Sequence, residues 1–284
     1  MTIIFLIIYL ILILNILQFL KAKFSPKDIS DKDISEYGFF NLVDKPINIG
    51  HRGASGHFPE NTILAFDQAL KLGAKGLEFD LKMTSDNKVL VFHDDDTLRM
   101  TGDKYEINET EYNLLKKLII LETEDEKIPL LREVLNNFPD VPMVIEIKDI
   151  GQDVVNKVAE VIKETESGNQ ILLGSFNEST IKGIREALPD VPTAACEKEA
   201  FLFYILAHLG LAGFLNWEFD AFTIPTTHKK LPVLTPPFIA ATRAKNMGLY
   251  IWTINNKKAM KRLIKLGVDG IMTDYPDKMK DISC

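Results

Sequence analysis

GLEFDLKMTSDNKVLVFH, residues 76–93, sets two short strand-like runs on either side of the polar connection KMTSDN. A parallel crossover needs a dozen or more residues, so six cannot carry one, and residues 77–93 are predicted to form a hairpin. Around it the chain alternates short apolar runs with helical stretches, the pattern of a parallel sheet with crossover helices. The strand candidates are INIG, GLEFDL, KVLVFH, MVIEIK, ILLGSF, TAACE, AFTIP, LYIWTI and GIMTD. That is one more than an eight-stranded barrel holds. One hairpin arm is therefore supernumerary or antiparallel, and the expected architecture is an α/β fold, a distorted TIM (β/α)8 barrel. Helix punctuation supports it: NTILAFDQALKLG starts at an Asn/Thr cap and stops at Gly73, TPPFIAATRAKNMG has Thr235 as N-cap and Gly248 as C′, and NNKKAMKRLIKLG closes at Gly267.

The first twenty residues, MTIIFLIIYLILILNILQFL, carry no charge and only Thr2, Tyr9, Asn15 and Gln18 as polar interruptions. Twenty residues at about 1.5 Å each make roughly 30 Å of helix, one bilayer core. With no basic segment before it and no small-residue cleavage site after it, the stretch reads as a retained transmembrane anchor over residues 1–20. Lys21, Lys23 and Lys27 follow, which places the large domain in the cytoplasm as that of a single-pass membrane protein. Residues 21–45 read as a polar linker, and 46–284 as the barrel domain.

The 284 residues are 46% apolar, with a net charge of −7, which argues against nucleic acid as a partner. Cys196 and Cys284 are too few for a disulfide framework or a zinc site. Residues 200–217, AFLFYILAHLGLAGFLNW, read as a buried helix after the sixth strand; the alternative is an apolar lip for lipid or an acyl chain. His208 within them reads as a helix-surface or core residue.

Glu78 and Asp80 stand two apart on a strand and leave by the same face, as do Glu146 and Lys148. Three carboxylates converging on one barrel end would repel without a cation, and oxygen ligation suits Ca²⁺ or Mg²⁺; strand carboxylates paired with Lys or Arg are the alternative. His51 and His93 both end strands, where the active face of a parallel barrel lies, and a facing pair could share one proton. His57 sits deeper in its loop. The Arg52 fork suits a phosphate oxygen.

HRGASGHFPENTILAF, GLEFDLKMTSDNKVLVFHDDDTL, IPLLREVL, VIEIK, LYIWTIN and GVDGIMTDYP, in that order, resemble the glycerophosphodiester phosphodiesterase family over roughly residues 46–280. The resemblance implies a TIM-barrel enzyme that hydrolyses glycerophosphodiesters to glycerol 3-phosphate and an alcohol. It implies that His51 and His93 are the acid–base pair and that Glu78, Asp80 and Glu146 hold one divalent cation. Arg52 and Lys148 match phosphate-contacting positions, Trp252 an aromatic at the substrate mouth, and Glu60 a residue that orients the His51 loop. HDDDTLRMTGDKYEINETEY departs from the family pattern, and the short segment before IPLL implies little or no extra cap. The N-terminal segment is similar to that of membrane-anchored members, some of them lysophospholipases D, so a lysophospholipid is the alternative substrate. A silent phosphate-binding scaffold is the reading from another class. Neither the leaving alcohol nor the oligomeric state is fixed by sequence.

Overall fold

The computed structural model describes residues 2–24, 34–280 and 282; Lys27, the rest of residues 25–33 and Cys284 lie outside the described residues. The chain runs through α1 (Thr2–Phe24), β1 (Ile47–His51), α2 (Ile63–Lys71), β2 (Gly76–Met83), β3 (Val89–Val91), α3 (Leu98–Thr101) and α4 (Tyr112–Leu115). It continues through α5 (Leu131–Asn137), β4 (Met143–Ile147), α6 (Gln152–Glu164), β5 (Ile171–Gly174), α7 (Glu178–Ala187) and α8 (Glu197–His208). The last third holds β6 (Ala221–Pro225), β7 (Thr227–His228), β8 (Leu231–Pro232), α9 (Pro236–Ala244), β9 (Gly248–Trp252), α10 (Lys257–Leu266), β10 (Gly270–Thr273) and α11 (Pro276–Lys280).

Seven strands pair in parallel in the order β5-β4-β2-β1-β10-β9-β6, the arrangement of a TIM-type barrel. The hairpin forms as expected: β3 lies antiparallel on β2, Leu81 opposite Val91 and Met83 opposite Val89, so β3 is the supernumerary arm. TAACE contributes less than a full strand. Single parallel bridges, Leu173 to Thr193 and Ala194 to Ala221, span the gap between β5 and β6. The αL residue after α9 is Asn246, at φ 52°, and Gly248 already belongs to β9.

Period-two alternation sends one face of each strand inward. Ile47, Ile49, Val144, Leu172, Tyr250 and Met272 form an apolar floor inside the barrel. Ile34, Phe39 and Phe40 seal it from below, with the Phe39 and Tyr250 rings 5.6 Å apart. Ile34, Phe39 and Phe40, inside the predicted polar linker 21–45, are thus core: the Lys, Asp and Ser residues around them keep that segment polar on average. Outward-facing residues such as Leu77, Phe79 and Ile145 pack under the helices. Met100, Leu115 and Ile128, after His93, build a small cluster with Leu90 and Phe92 of the hairpin arm.

The expected transmembrane anchor is a helix, but not a free span. Ile11, Ile13, Leu14, Asn15 and Gln18 are its least exposed positions; all but Ile13 form a stripe at helical spacing, and α1 packs by this side along α9. The Gln18 amide is buried: Nε2 donates to Ala207 O (3.3 Å) and Pro237 O (3.2 Å), and Oε1 accepts from Gly213 N (3.1 Å). Asn15 Nδ2 donates to His208 O at 3.1 Å. Gly210, at φ +74°, lies directly beneath α1, where a Cβ would come within 2.6 Å of Asn15 N. The two polar interruptions of the apolar run are therefore its dock, because an amide against a protein backbone satisfies donors and acceptors that lipid cannot. Among the described residues no helix is long and apolar enough to cross a membrane.

Candidate active site

Strand register assembles the site. His51 is the neighbour of Glu78 across β1 and β2, and Asp80 is the neighbour of Glu146 across β2 and β4. Neighbours in a parallel pair point the same way, so these side chains crowd the C-terminal end of the interior, directly above the apolar floor. Phe92 N donates to Asp80 O at 2.9 Å, which carries His93 to the same end.

Both histidines are pinned by an aspartate. His51 Nδ1 donates to Asp274 Oδ1 at 2.7 Å, and Asp274 is held in turn by Asn255 Nδ2 and by Ser55 Oγ at 2.9 Å. His93 Nδ1 donates to Asp94 Oδ1, also at 2.7 Å. A carboxylate only accepts, so each neutral ring carries its proton on Nδ1 and presents the Nε2 lone pair. His51 Nε2 lies 3.8 Å from Glu78 Oε2. Burial works against charge on His51, but Glu78 and Asp274 outweigh it and its pKa is raised. Burial would raise Asp94, yet bonds from Arg99 and His93 hold it down to about 2.

The three carboxylates meet cations as well as each other. Lys148 Nζ sits 3.1 Å from Asp80 and 2.9 Å from Glu146, and Arg52 Nε sits 3.0 Å from Asp80. Glu78 accepts from Arg52 N at 3.0 Å. Glu78, Asp80 and Glu146 therefore share one end without forming a ready cage; among the described residues no three acidic, His or Cys side chains group as metal ligands. The reason is local: the Lys148 ammonium occupies the space between Asp80 and Glu146. Burial, with Asp80 and Glu146 alongside, still pushes Glu78 up to about 7, and burial raises Glu146 too. An all-oxygen donor set carrying crowded negative charge fits a hard divalent cation, Ca²⁺ or Mg²⁺.

Arg52 has a left-handed backbone, φ 53°, and Gly53 follows at φ 84°, where a Cβ would meet the Ala65 carbonyl at 2.7 Å. This tight turn brings the Arg52 N–H and guanidinium to the carboxylates. Glu60 accepts from Arg52 Nη1 (2.9 Å) and Arg99 Nη2 (2.7 Å), while Arg99 Nε reaches Asp94. Glu60 and Arg99 thereby join the two histidine loops. Trp252 stands at the mouth with Phe176, ring centroids 6.4 Å apart. His57 turns outward to Asp277, 3.0 Å away, and is no part of the cluster. His208 is structural: Nδ1 donates to Tyr204 O and Nε2 accepts from Thr235 Oγ1, so the Thr235 hydroxyl serves there and not as the helix cap. Asp274, Asp94, Asn255, Arg99 and Phe176 were not singled out from sequence, although TDYP, HDDD and LYIWTIN held three of them.

A barrel whose inner rim carries two pinned histidines, three strand carboxylates and two phosphate-suited cations defines a class, phosphoryl-transfer enzymes of TIM-barrel type. Residues 51–278 match the Glycerophosphoryl diester phosphodiesterase family, and the chain belongs to it as a phosphodiesterase. It is 30% identical over 266 residues to human lysophospholipase D GDPD1, covering 82% of this chain and 85% of that one. It is 31% identical over 237 residues to the putative glycerophosphodiester phosphodiesterase YhdW of Bacillus subtilis, covering 81% and 94%. Its fold is similar to that of an Oleispira antarctica phosphodiesterase solved with the product sn-glycerol-3-phosphate, TM-score 0.69 at 24% identity, covering 82% and 94%. A Silicibacter pomeroyi putative glycerophosphoryl diester phosphodiesterase gives TM-score 0.71 at 21% identity, covering 85% and 95%.

Proposed function

We propose that this chain hydrolyses glycerophosphodiesters to glycerol 3-phosphate and an alcohol, with His51 and His93 exchanging the protons. The observation that carries this reading is the matched pinning of the two rings, which leaves two Nε2 atoms for proton transfer. His51 Nε2 takes the proton of the attacking hydroxyl as its oxygen bonds to phosphorus; protonated His93 gives one to the leaving alcohol as the other P–O bond breaks. Where the attacker is the adjacent glycerol hydroxyl, a cyclic phosphate forms, and the same rings with roles exchanged let water open it. A divalent cation held by Glu78, Asp80 and Glu146 supplies Lewis-acid polarisation when bound. Arg52 and Lys148 offset the charge gathering on the phosphate oxygens.

Chelation should abolish turnover of glycerophosphocholine, and Ca²⁺ or Mg²⁺ should restore it. Near-full turnover by metal-replete His93→Ala would sink the assignment, and hydrolysis unaffected by chelation would sink the cation. A lysophospholipid is the second reading, favoured by the exposed Phe176 beside Trp252 at the mouth and by the likeness to the human lysophospholipase D. Turnover of lysophosphatidylcholine against glycerophosphocholine separates them. The enzyme works at a membrane with its barrel in the cytoplasm, a placement supported by the apolar N-terminal segment and by Lys21, Lys23 and Lys27 after it, cations that suit an acidic cytoplasmic leaflet.

A further inference from the structure

One side of the barrel is apolar where it should meet water. Leu6, Tyr9 and Phe19 on α1, Phe201 and Leu202 on α8, and Phe214 beyond it are each about half exposed or more. From Ala200 to Ala207 α8 carries only apolar side chains and Tyr204: Phe203 and Ala207 enter the core, while Phe201, Leu202 and Ile205 stay exposed. A stretch of that size is more than scattered surface residues explain.

The flank of this face is basic. α10 holds Lys257, Lys258, Lys261, Arg262 and Lys265 and no acidic residue, in a chain of net charge −7. Among the described residues none of the five makes an ion pair, and four of them line a shared surface depression with Leu266. α9 lies between the two features, packing on α1 and reaching the Leu266 carbonyl through Arg243. The hairpin of β7 and β8, which leaves β6 beside Trp252, is tied to α8 by the Tyr204 hydroxyl on Pro232 O.

We propose that this face lies flat on an anionic bilayer, with α1 and α8 in the headgroup boundary and α10 on acidic headgroups. α1 is thus part of a monotopic platform and does not cross the membrane. The dock supports this: the buried Gln18 amide makes three bonds to the barrel, and Gly210 clears room for the α1 backbone. An apolar surface edged by cations is what an interfacial protein presents, each cation near an acidic surface raising partition about fivefold. The proposal rests on the membrane placement above and not on the hydrolytic chemistry.

The test uses the full chain with vesicles of phosphatidylcholine alone or with added phosphatidylserine. Sedimentation should show binding that depends on phosphatidylserine and falls by more than about tenfold in K258E/K261E/R262E/K265E. F201S/L202S should weaken binding severalfold. An epitope at the N-terminus of protein synthesised into vesicles should stay on the barrel's side. Binding indifferent to lipid charge and to the four substitutions, an epitope on the far side, or self-association without vesicle binding would each overturn the platform. Glycerophosphocholine turnover, followed in parallel, should not change in either variant; a failure of the hydrolytic reading appears there and leaves the binding result intact.

Discussion

On β1, β4 and β9 the barrel floor and the barrel mouth are one strand period apart: Ile49 and His51, Val144 and Glu146, Tyr250 and Trp252. At the floor each inward residue is apolar and buried, and its contribution is packing. At the mouth stand the polar His51 and Glu146 beside the Trp252 ring, and the crowding of charge there is held against stability, in keeping with the raised Glu78 pKa. Folding and chemistry are thus stacked in layers along the same strands, so a substitution two residues away should change which property suffers.

The largest expected effect is at the mouth. His93→Ala should lower turnover by about 10²–10⁴-fold while thermal unfolding barely moves, since the ring is partly exposed. Next is the floor: Phe39→Ala should cost about 3–5 kcal/mol in denaturant unfolding, with turnover of the folded fraction near normal. If Phe39→Ala removed activity from fully folded protein, the layers would not be separate. Asp274→Asn sharpens the contrast within the mouth, because it keeps the side-chain volume but no longer selects the His51 tautomer. Turnover should fall by about 10–100-fold with little change in melting.

The smallest effect lies in the outer wall, where Arg185 grips Glu199 through two bonds of 2.6 and 3.0 Å. Burial pushes the Glu199 pKa up, but Arg185 and the Cys196 N–H outweigh it and the net shift is downward. A folded-state pKa below the unfolded value makes this stability present above about pH 4.5 and lost as pH falls through the folded value. Glu199→Gln should therefore cost about 1 kcal/mol at pH 7 and nothing at the acid end, read as a flatter acid limb of stability against pH.

Much of the architecture was legible because it rests on local spacing. The connection 82–87 is too short for a crossover whatever surrounds it, and the alternation in GLEFDLK fixes which residues share a face. Thr193 and Ala194 mislead only in degree, since a two-residue bridge leaves the same apolar trace as a strand. The plug of Ile34, Phe39 and Phe40 and the dock of Asn15 and Gln18 were illegible for another reason. Their partners are some 190 to 220 residues away, and nothing in the local pattern announces them. Asp94 and Asp274 were in view as letters of HDDD and TDYP. What sequence could not give is that each faces a histidine Nδ1 and not water.

Because Gln18 finds its partners at Ala207, Gly213 and Pro237, the most apolar helix leaves the ribosome long before its seat exists. At typical synthesis rates the wait is roughly 10–45 s. Throughout it α1 is an unshielded greasy segment with only a bilayer or a chaperone to cover it, so delivery to the membrane can precede folding of the barrel.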